Sequence, residues 1–287
     1  MNHVPTVQVS ADVANWITQR CEGSDAIERA EANLLADFSD DPFLKSKNWT
    51  AFRDALESNY STYDHVVVRG LPPAAGGVSL MWATKAIAQT FRTYRGGRVV
   101  KHFRMSPWTK DLSHTTDEGH FHTDLNTSPE PPTITAMQCL RPDPAGAGHG
   151  CLRVARLIDL LATLQNAEDQ EALKFLLESD VEMVNDSDRD TWKGHIVTSD
   201  HIRFHPETIR AAARRHGYSL ESIEPILARI QHAALDSSAA IDLNAGDALI
   251  VSNTKAMHYR NACTVKFNQF PRDFESREVY ILHALAA

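Results

Sequence analysis

Apolar residues recur at three- and four-residue intervals along the first part of the chain, and in short β-branched runs along the rest. Residues 10–38 carry the helical pattern with a break near Gly23 and Ser24, which predicts two helices. A third helix is predicted over residues 49–58. Residues 1–62 are therefore expected to form a mainly helical N-terminal portion.

The pattern changes near residue 63, where a run of three valines, Val66-Val67-Val68, is followed by Gly70 and two prolines. This run predicts a buried strand. The same criteria predict helices at 78–94, 156–165, 167–177, 206–217 and 219–235, and strands at 99–103, 133–140, 151–154, 181–184, 194–204, 239–243, 248–252 and 277–285. Short strands with helices before and between them favour an α+β chain built around a β-sandwich or barrel.

The composition limits the partners of such a chain. Its 287 residues include 43% hydrophobic residues, enough for a sizeable core, and carry a net charge of −8. An acidic chain without a basic block does not favour nucleic acid or an anionic membrane as a partner. No run reaches the ~20 apolar residues of a membrane span. A small molecule is the expected partner. Association of the chain with copies of itself stays open.

The cysteines and the N-terminus indicate the compartment. Four widely spaced cysteines without a CxxC pair are typical of reduced thiols in a cytosolic protein. The first residues, Met1-Asn2-His3-Val4-Pro5, lack the basic and apolar regions of a signal peptide. We therefore expect a cytoplasmic protein.

The candidate chemistry centres on His122 and Asp124, two positions apart in Gly119-His120-Phe121-His122-Thr123-Asp124. Side chains at i and i+2 of a strand project from one face, so this imidazole and carboxylate could grip one ion. His258 is the best third ligand, because it follows a buried strand that starts after Gly246-Asp247. Two histidines and one carboxylate, with other positions open, are the ligands of non-haem Fe(II) oxygenases. The sequence thus predicts a catalytic metal site.

Other histidines leave alternatives open. The chain has 14 histidines, so chance pairings are numerous, and any one of them is expected to be an ordinary surface or core imidazole. Such alternatives include His102, His114, His120, His149 and His283.

Several further motifs are weak singly but specific as a set. They are His122-Thr123-Asp124 with Pro131-Pro132, Gly246-Asp247 with Asn253-x4-His258, Val66-Val67-Val68-Arg69-Gly70-Leu71-Pro72, and Cys139-Leu140-Arg141-Pro142-Asp143-Pro144. With a late arginine, this set resembles the taurine-dioxygenase and clavaminate-synthase superfamily from about residue 63 to the C-terminus.

The resemblance implies a fold and a reaction. The expected fold is a single catalytic domain over residues 1–287, with a double-stranded β-helix (jelly roll) core at 63–287 and a helical insertion around 156–235. The implied cofactors are Fe(II), 2-oxoglutarate as co-substrate, and O2. The expected reaction is hydroxylation of an unactivated C–H bond, with succinate and CO2 as co-products.

In that superfamily a late arginine pairs with the C5 carboxylate of 2-oxoglutarate, a task suited to an always-charged guanidinium. Arg277 and Arg272 are the two candidates. Arg277 opens an apolar strand, as the family's arginine does, whereas Arg272 lies in a predicted turn, so we expect Arg277. The chain departs from the family at Gly150-Cys151, where a threonine is usual. It also departs at Ile281, where taurine-type enzymes carry a second arginine.

The expected substrate is a small polar acid, such as an amino acid or a derivative, since many clavaminate-synthase-like enzymes oxidise such compounds. A polar loop bordering the site is predicted over residues 106–119. Alternation along the strand before this loop puts Arg104 and His102 on one side and Phe103 on the other. Arg104 and His102 are therefore candidates to bind the substrate, as is Arg260, two residues after His258. The alternative for each is a surface cation paired with one of the chain's acids. A sugar acid is the second candidate substrate.

Two other classes of function remain open. One is a cupin-like metalloenzyme that does not use 2-oxoglutarate, and the other is a non-catalytic metal-binding or interaction protein. Hydrolysis by a Ser/His/Asp triad is disfavoured because no G-x-S-x-G motif is found, and no P-loop or Rossmann fingerprint is present.

Overall fold

The computed structural model describes residues 3–35, 41–73, 75–94, 96–185 and 190–286. The α-helices are α1 (Ala11–Arg20), α2 (Ala26–Leu35), α3 (Lys47–Tyr63), α4 (Val78–Lys85), α5 (Leu157–Asn166), α6 (Gln170–Leu177), α7 (Pro206–Arg215) and α8 (Glu224–Ser237). The strands are β1 (Thr6–Gln8), β2 (His65–Arg69), β3 (Ala88–Phe91), β4 (Val100–Arg104), β5 (Ile134–Arg141), β6 (Leu152–Arg156), β7 (Asp180–Val184), β8 (Thr191–His195), β9 (Val197–Thr198), β10 (His201–Ile202), β11 (Ala239–Ile241), β12 (Ala248–Ser252), β13 (Ala256–Arg260), β14 (Val265–Gln269), β15 (Asp273–Ser276) and β16 (Glu278–Ala286).

Helices α1 to α4 build a layer with aromatic side chains at its centre. Helix α1 begins after Ser10, whose hydroxyl accepts a hydrogen bond from the backbone N–H of Val13. The ring of Trp16 lies 5.3 Å from that of Trp49 and 4.9 Å from that of Trp82, centroid to centroid. Burial of such large rings accounts for much of the stability of a layer like this one. The predicted N-terminal helices are confirmed, although the end of the first predicted segment, residues 36–38, lies outside the described residues.

The predicted helix over residues 78–94 is wrong in its second half. Helix α4 ends at Lys85, and the residues after it form β3, which pairs antiparallel with β16 through Phe91 and Ala284. Phe91 is buried there. The local pattern suits a helix, but pairing with β16 satisfies the backbone and buries the ring, so tertiary context overrides it.

The large sheet has the strand order β1-β2-β12-β5-β16-β3, and β4 also pairs with β16. The β1–β2 pair is parallel, and the other pairs are antiparallel. Every residue of β12 is buried. Its side chains alternate between the layer of N-terminal helices on one face and a second sheet on the other, so both faces of the strand are covered.

The second sheet, β11-β6-β13, faces the large one. Val67, Met137 and Leu249 of the large sheet share a buried core with Leu152 and Val154 of the small one. We call the side of each sheet that contributes to this core its inner face. Side chains alternate along a strand, so each strand sends one set of side chains inward and the other outward.

The outer face of the small sheet packs on helices α5 to α8. Met257 of β13 joins Leu160, Leu227 and Ile230 of these helices in one core. Between residues 156 and 235 the chain also forms the strand pairs β7–β8 and β9–β10. The protein therefore has a mixed fold of helices and sheets. Within the described ranges, no helix is both long and apolar enough to cross a membrane.

Candidate metal centre

His122, Asp124 and His258 lie together between the two sheets. They are the one group of acidic, histidine or cysteine side chains in the described ranges that could hold a metal ion, with ligand atoms all within 4.8 Å of one another. His258 lies on the inner face of β13 with Ala256. His122 pairs with it through reciprocal backbone hydrogen bonds of 3.1 and 3.0 Å. The fold thus assembles the three residues that the sequence selects.

The strand predicted for the His-x-Asp stretch is wrong. Only His122 forms a bridge, and Asp124 begins a turn. The side chain of Asn253 fixes the main chain instead. Its Oδ1 accepts from the Asp124 N–H at 2.7 Å, and its Nδ2 donates to the carbonyls of Asp124 and Pro132 at 3.0 and 2.9 Å. Asn253 is 1% exposed, so water competes little for these hydrogen bonds.

Hydrogen bonding identifies the nitrogen that His122 offers to an ion. Its Nδ1 lies 2.7 Å from the backbone oxygen of His120, so Nδ1 carries the proton and Nε2 keeps its lone pair. This Nε2 lies 3.5 Å from Oδ1 of Asp124, and Nε2 of His258 lies 3.4 Å from Oδ2 of the same carboxylate. The two imidazoles and the carboxylate therefore face one another across a space the size of an ion.

The charge states suit a divalent cation. Burial lowers the pKa of His258 to about 4, against the attraction of Asp124, so its imidazole is neutral near neutral pH. Burial opposes ionisation of Asp124, but the neighbouring imidazoles of His258, His122 and His283 outweigh it and hold the pKa of the carboxyl well below its usual range. At His122, burial opposes protonation, but the neighbouring Asp124 carboxylate outweighs it and raises the pKa, so a bound cation would take the place of a proton on Nε2. Neutral imidazole and ionised carboxylate are the forms that bind metals, so this donor set fits a non-haem ion.

Arg277 and Arg272 lie in different surroundings. Arg277 is 4% exposed between β15 and β16, whereas Arg272 is exposed in the turn between β14 and β15. Burial lowers the pKa of the Arg277 guanidinium. Among the residues that the structure describes, no carboxylate forms an ion pair with it. A buried cation of this kind is costly unless an anion binds it.

Arg104 and His102 lie on the outer face of the large sheet. Strand β4 pairs with β16 so that Arg104 is opposite Glu278 and His102 opposite Tyr280, and directly opposed residues share a face. Tyr280 packs in the core beneath the N-terminal helices. The Arg104 guanidinium donates to the carbonyl of Phe274 and lies 3.8 Å from Glu278, and His102 lies 3.1 Å from Glu278. The alternation is as predicted, but this register turns both side chains away from the metal ligands. Their role toward substrate stays a prediction.

Arg260 lies on the inner face of β13 with His258, and its guanidinium holds the neighbouring loop. It donates to the backbone oxygens of Thr115 and Asp117 at 2.9 and 2.8 Å, and to that of Asn261 at 3.1 Å. These contacts tie down the predicted site loop over residues 106–119. A contact of Arg260 with substrate stays a prediction.

Lys101 is a cation near the centre that the sequence reasoning missed. It is opposite Ile281 in the β4–β16 pair, and Ile281 packs against the core between the sheets, so Lys101 lies on the inner face. Its Nζ lies 4.0 Å from the centroid of the Tyr94 ring. Partial burial lowers the pKa of Lys101, against the attraction of Asp124. In the sequence, Lys101 cannot be told apart from the neighbouring cations of its strand. Only the pairing of β4 with β16 shows that its side chain is on the inner face.

His205 is a second residue that the sequence reasoning missed. Its ring centroid lies 4.9 Å from that of His122. Its Nδ1 accepts a hydrogen bond from the backbone N–H of Glu207 at 3.2 Å and caps α7, so the ring proton of the neutral form is on Nε2. Burial and the neighbouring His122 hold the pKa of His205 well below its usual value. The one signal in the sequence is Pro206, which is typical of a first helical position. It predicts that His205 caps a helix, but it does not indicate a functional site.

Two packed sheets that bring together two histidines and a carboxylate define the class of mononuclear non-haem metal enzymes. Within that class, the chain belongs to the taurine catabolism dioxygenase TauD, TfdA family, whose model matches residues 28–268. The predicted family resemblance is thereby confirmed, and the chain is a dioxygenase of this family. No curated protein sequence matches it.

Solved oxygenases share the fold at low sequence identity. Asparagine oxygenase, in complex with Fe(II), 2S,3S-3-hydroxyasparagine and succinate, is 15% identical over 98% of this chain and 93% of that one, with a TM-score of 0.65. The non-haem iron oxygenase OrfP, with Fe, succinate and (3S)-hydroxy-L-Arg, is 14% identical over 99% and 95%, with a TM-score of 0.68. OrfP with Fe and alpha-ketoglutaric acid is 14% identical over 99% and 95%, with a TM-score of 0.64.

Proposed function

We propose that this protein is an Fe(II)- and 2-oxoglutarate-dependent dioxygenase that hydroxylates an unactivated C–H bond of a small polar acid, such as an amino acid or a derivative. The observation that carries the proposal is the group formed by His122, Asp124 and His258, with ligand atoms within 4.8 Å of one another. Membership of the TauD, TfdA family supports the same chemistry. Structurally similar oxygenases contain iron with succinate or alpha-ketoglutaric acid.

We also propose that the two facing sheets form a double-stranded β-helix, the jelly roll, in a single catalytic domain over residues 1–287. The shared core between the sheets and their mostly antiparallel pairing support this assignment. The helices between residues 156 and 235 pack on the outer face of the small sheet, as an insertion into a core at 63–287 would.

The three ligands have defined tasks toward the metal. Bound iron with 2-oxoglutarate would supply the activation of O2 and the oxidation of the C–H bond. The Nε2 atoms of His122 and His258 and the carboxylate of Asp124 would hold the ion on one side, which leaves its other positions open. His205 adds a neutral ring with its N–H on Nε2 beside His122, a donor suited to an oxygen of the substrate.

Arg277 is the proposed partner of the C5 carboxylate of 2-oxoglutarate, in preference to Arg272. A guanidinium can hold a carboxylate through two parallel hydrogen bonds. The burial of Arg277 without an ion pair in the described ranges supports the choice, because a bound carboxylate would compensate the buried charge. Arg272 is exposed in its turn, so its charge does not require a bound carboxylate.

Gly150 offers a test of Arg277 that leaves the arginine itself in place. Gly150 has φ +61°, and a Cβ on it would lie 2.5 Å from Arg277 Cδ and 3.0 Å from Cys263 Sγ. We expect Gly150→Ala to displace Arg277 and to raise the KM for 2-oxoglutarate roughly 5- to 150-fold, because overpacking costs about 1–3 kcal/mol. Steady-state kinetics with varied 2-oxoglutarate measure this. Gly148→Ala is the matched control, since Gly148 has φ +86° but open space around it. Equal effects of both substitutions would contradict contact with Arg277 as the cause.

For the substrate carboxylate we propose Lys101 as the first candidate, ahead of Arg104, His102 and Arg260. The last three already bind Glu278 or loop carbonyls. Lys101 lies on the inner face and, within the described residues, forms no ion pair with a carboxylate. The hydroxylated amino acids bound in asparagine oxygenase and OrfP support an amino-acid substrate.

Lys101 and Arg104 lie on the same strand but on opposite faces, and so form a matched pair of test positions. We expect Lys101→Met to raise the KM for an acidic substrate roughly 10- to 150-fold, as loss of a charged hydrogen bond costs about 1.5–3 kcal/mol. The KM for 2-oxoglutarate should stay unchanged. Arg104→Met should have a much smaller effect on both constants. A larger effect of Arg104→Met would return the substrate role to Arg104.

A substrate screen tests the proposed function as a whole. The enzyme would be supplied with Fe(II), 2-oxoglutarate and air, and succinate would be measured over free amino acids, their N-acyl derivatives and sugar acids. Succinate that rises with an amino acid or its derivative supports the proposal, and a preference for sugar acids would change the substrate class. Metal binding without succinate would indicate a cupin-like metalloenzyme, and absence of O2 consumption a non-catalytic metal-binding protein.

We further propose that the protein acts in the cytoplasm on small molecules, without a nucleic-acid or membrane partner. The net charge of −8 and the free cysteines Cys21, Cys139, Cys151 and Cys263 support this setting. A homo-oligomer is compatible with the same features.

A further inference from the structure

Two side chains of the large sheet hold one oxygen of Asp124. Thr135 on β5 and His283 on β16 are directly opposite each other in the antiparallel ladder, so both lie on the inner face. Thr135 Oγ1 lies 2.8 Å and His283 Nε2 lies 3.0 Å from Oδ2 of Asp124. An ionised carboxylate only accepts hydrogen bonds, so both groups donate to Oδ2.

His283 is itself fixed from behind by Tyr94. With its proton on Nε2, the neutral ring of His283 presents Nδ1 as an acceptor, and the Tyr94 hydroxyl lies 2.7 Å from it. The main chain beside Tyr94 is tied to the same strand, because the N–H of Arg92 donates to the carbonyl of His283 at 2.9 Å. His283 is 6% exposed and Thr135 is fully buried. Tyr94, His283 and Asp124 thus form a hydrogen-bonded chain that begins outside the set of metal ligands.

Building on the proposed function, we infer that Tyr94, His283 and Thr135 are positioning residues that orient Asp124 to bind iron through Oδ1 alone. Oδ2 lies 3.4 Å from Nε2 of His258, but the two donors occupy its lone pairs. Oδ1 lies 3.5 Å from Nε2 of His122 and keeps its lone pairs for the ion. Partners that orient a metal ligand in this way change metal affinity roughly 10- to 100-fold when they are removed. Without the donors to Oδ2 the carboxylate is free to rotate and to use both oxygens, which alters the number of ligand atoms around the metal.

The test uses Co(II) as a probe, because its visible absorption reports the number of ligands and its binding needs neither O2 nor substrate. His283→Leu and Thr135→Val each remove a donor to Oδ2, and we expect each to weaken Co(II) binding, roughly 10- to 100-fold for His283→Leu. Both should change the intensity or position of the Co(II) bands. His283→Gln keeps an N–H donor and should restore much of the affinity and the wild-type spectrum. Tyr94→Phe removes only the last hydrogen bond and should have a smaller effect in the same direction.

A control separates positioning from packing. His65 is a histidine of β2 with 3% exposure, bound through Nδ1 to the carbonyl of Tyr63 at 2.8 Å. His65→Leu and His283→Leu should both lower the thermal stability, because each removes a buried hydrogen bond. Only His283→Leu should change the Co(II) spectrum. Wild-type affinity and spectrum in His283→Leu and Thr135→Val would overturn the inference. If His122→Ala bound Co(II) as the wild-type protein does, the proposed function itself would be contradicted.

Discussion

We expect His122→Ala, Asp124→Ala and His258→Ala each to abolish turnover and to weaken iron binding sharply, while the fold is retained. The three side chains supply the ligand atoms of one site, so loss of any one leaves an incomplete set for a divalent ion. The measurements are succinate formation with the best substrate, Fe(II) affinity under anaerobic conditions, and circular dichroism to confirm folding.

His149→Ala provides a matched control, because His149 is an exposed histidine. It should retain wild-type turnover and iron affinity. A variant of His122, Asp124 or His258 that kept near-wild-type succinate formation would remove that residue from the metal site.

The second large effect is expected at Arg277. Arg277→Ala should raise the apparent KM for 2-oxoglutarate roughly 30-fold to several-thousand-fold, since loss of one partner of a buried charge pair costs about 2–5 kcal/mol. The cause is that the C5 carboxylate would lose its counter-ion inside the protein. Initial rates at varied 2-oxoglutarate, with substrate saturating, measure the effect.

Arg272→Ala is the paired substitution, because Arg272 precedes Arg277 by five residues and is exposed in the turn between β14 and β15. Its effect on the same KM should be much smaller. The opposite ranking would transfer the role to Arg272.

The choice of metal ligands could be made from the sequence because it depends on short motifs. His122 and Asp124 are close in the chain, and His258 follows the buried strand β12, so all three could be selected without the fold. The reason for their geometry could not be predicted. The amide of Asn253 holds the turn at Asp124 through contacts 129 residues apart in the chain, and no local pattern shows such a contact.

The face of a strand was harder to predict than the strand itself. Alternation in β4 correctly separates His102 and Arg104 from Phe103, but two faces are possible and the sequence does not say which is inner. The register with β16 decides this, since it places Arg104 opposite Glu278 and Lys101 opposite Ile281. Non-local pairing with β16 also explains why part of a predicted helix forms β3 instead.

Anaerobic addition of Fe(II) and then 2-oxoglutarate shows whether the protein binds the metal and the co-substrate together, and it needs no knowledge of the substrate. We expect a weak visible charge-transfer band of the iron–2-oxoglutarate chelate in the wild-type protein, and none in His122→Ala. Arg277→Ala should require far more 2-oxoglutarate to produce the band. Wild-type protein that binds Fe(II) but shows no band at saturating 2-oxoglutarate would contradict the proposed function.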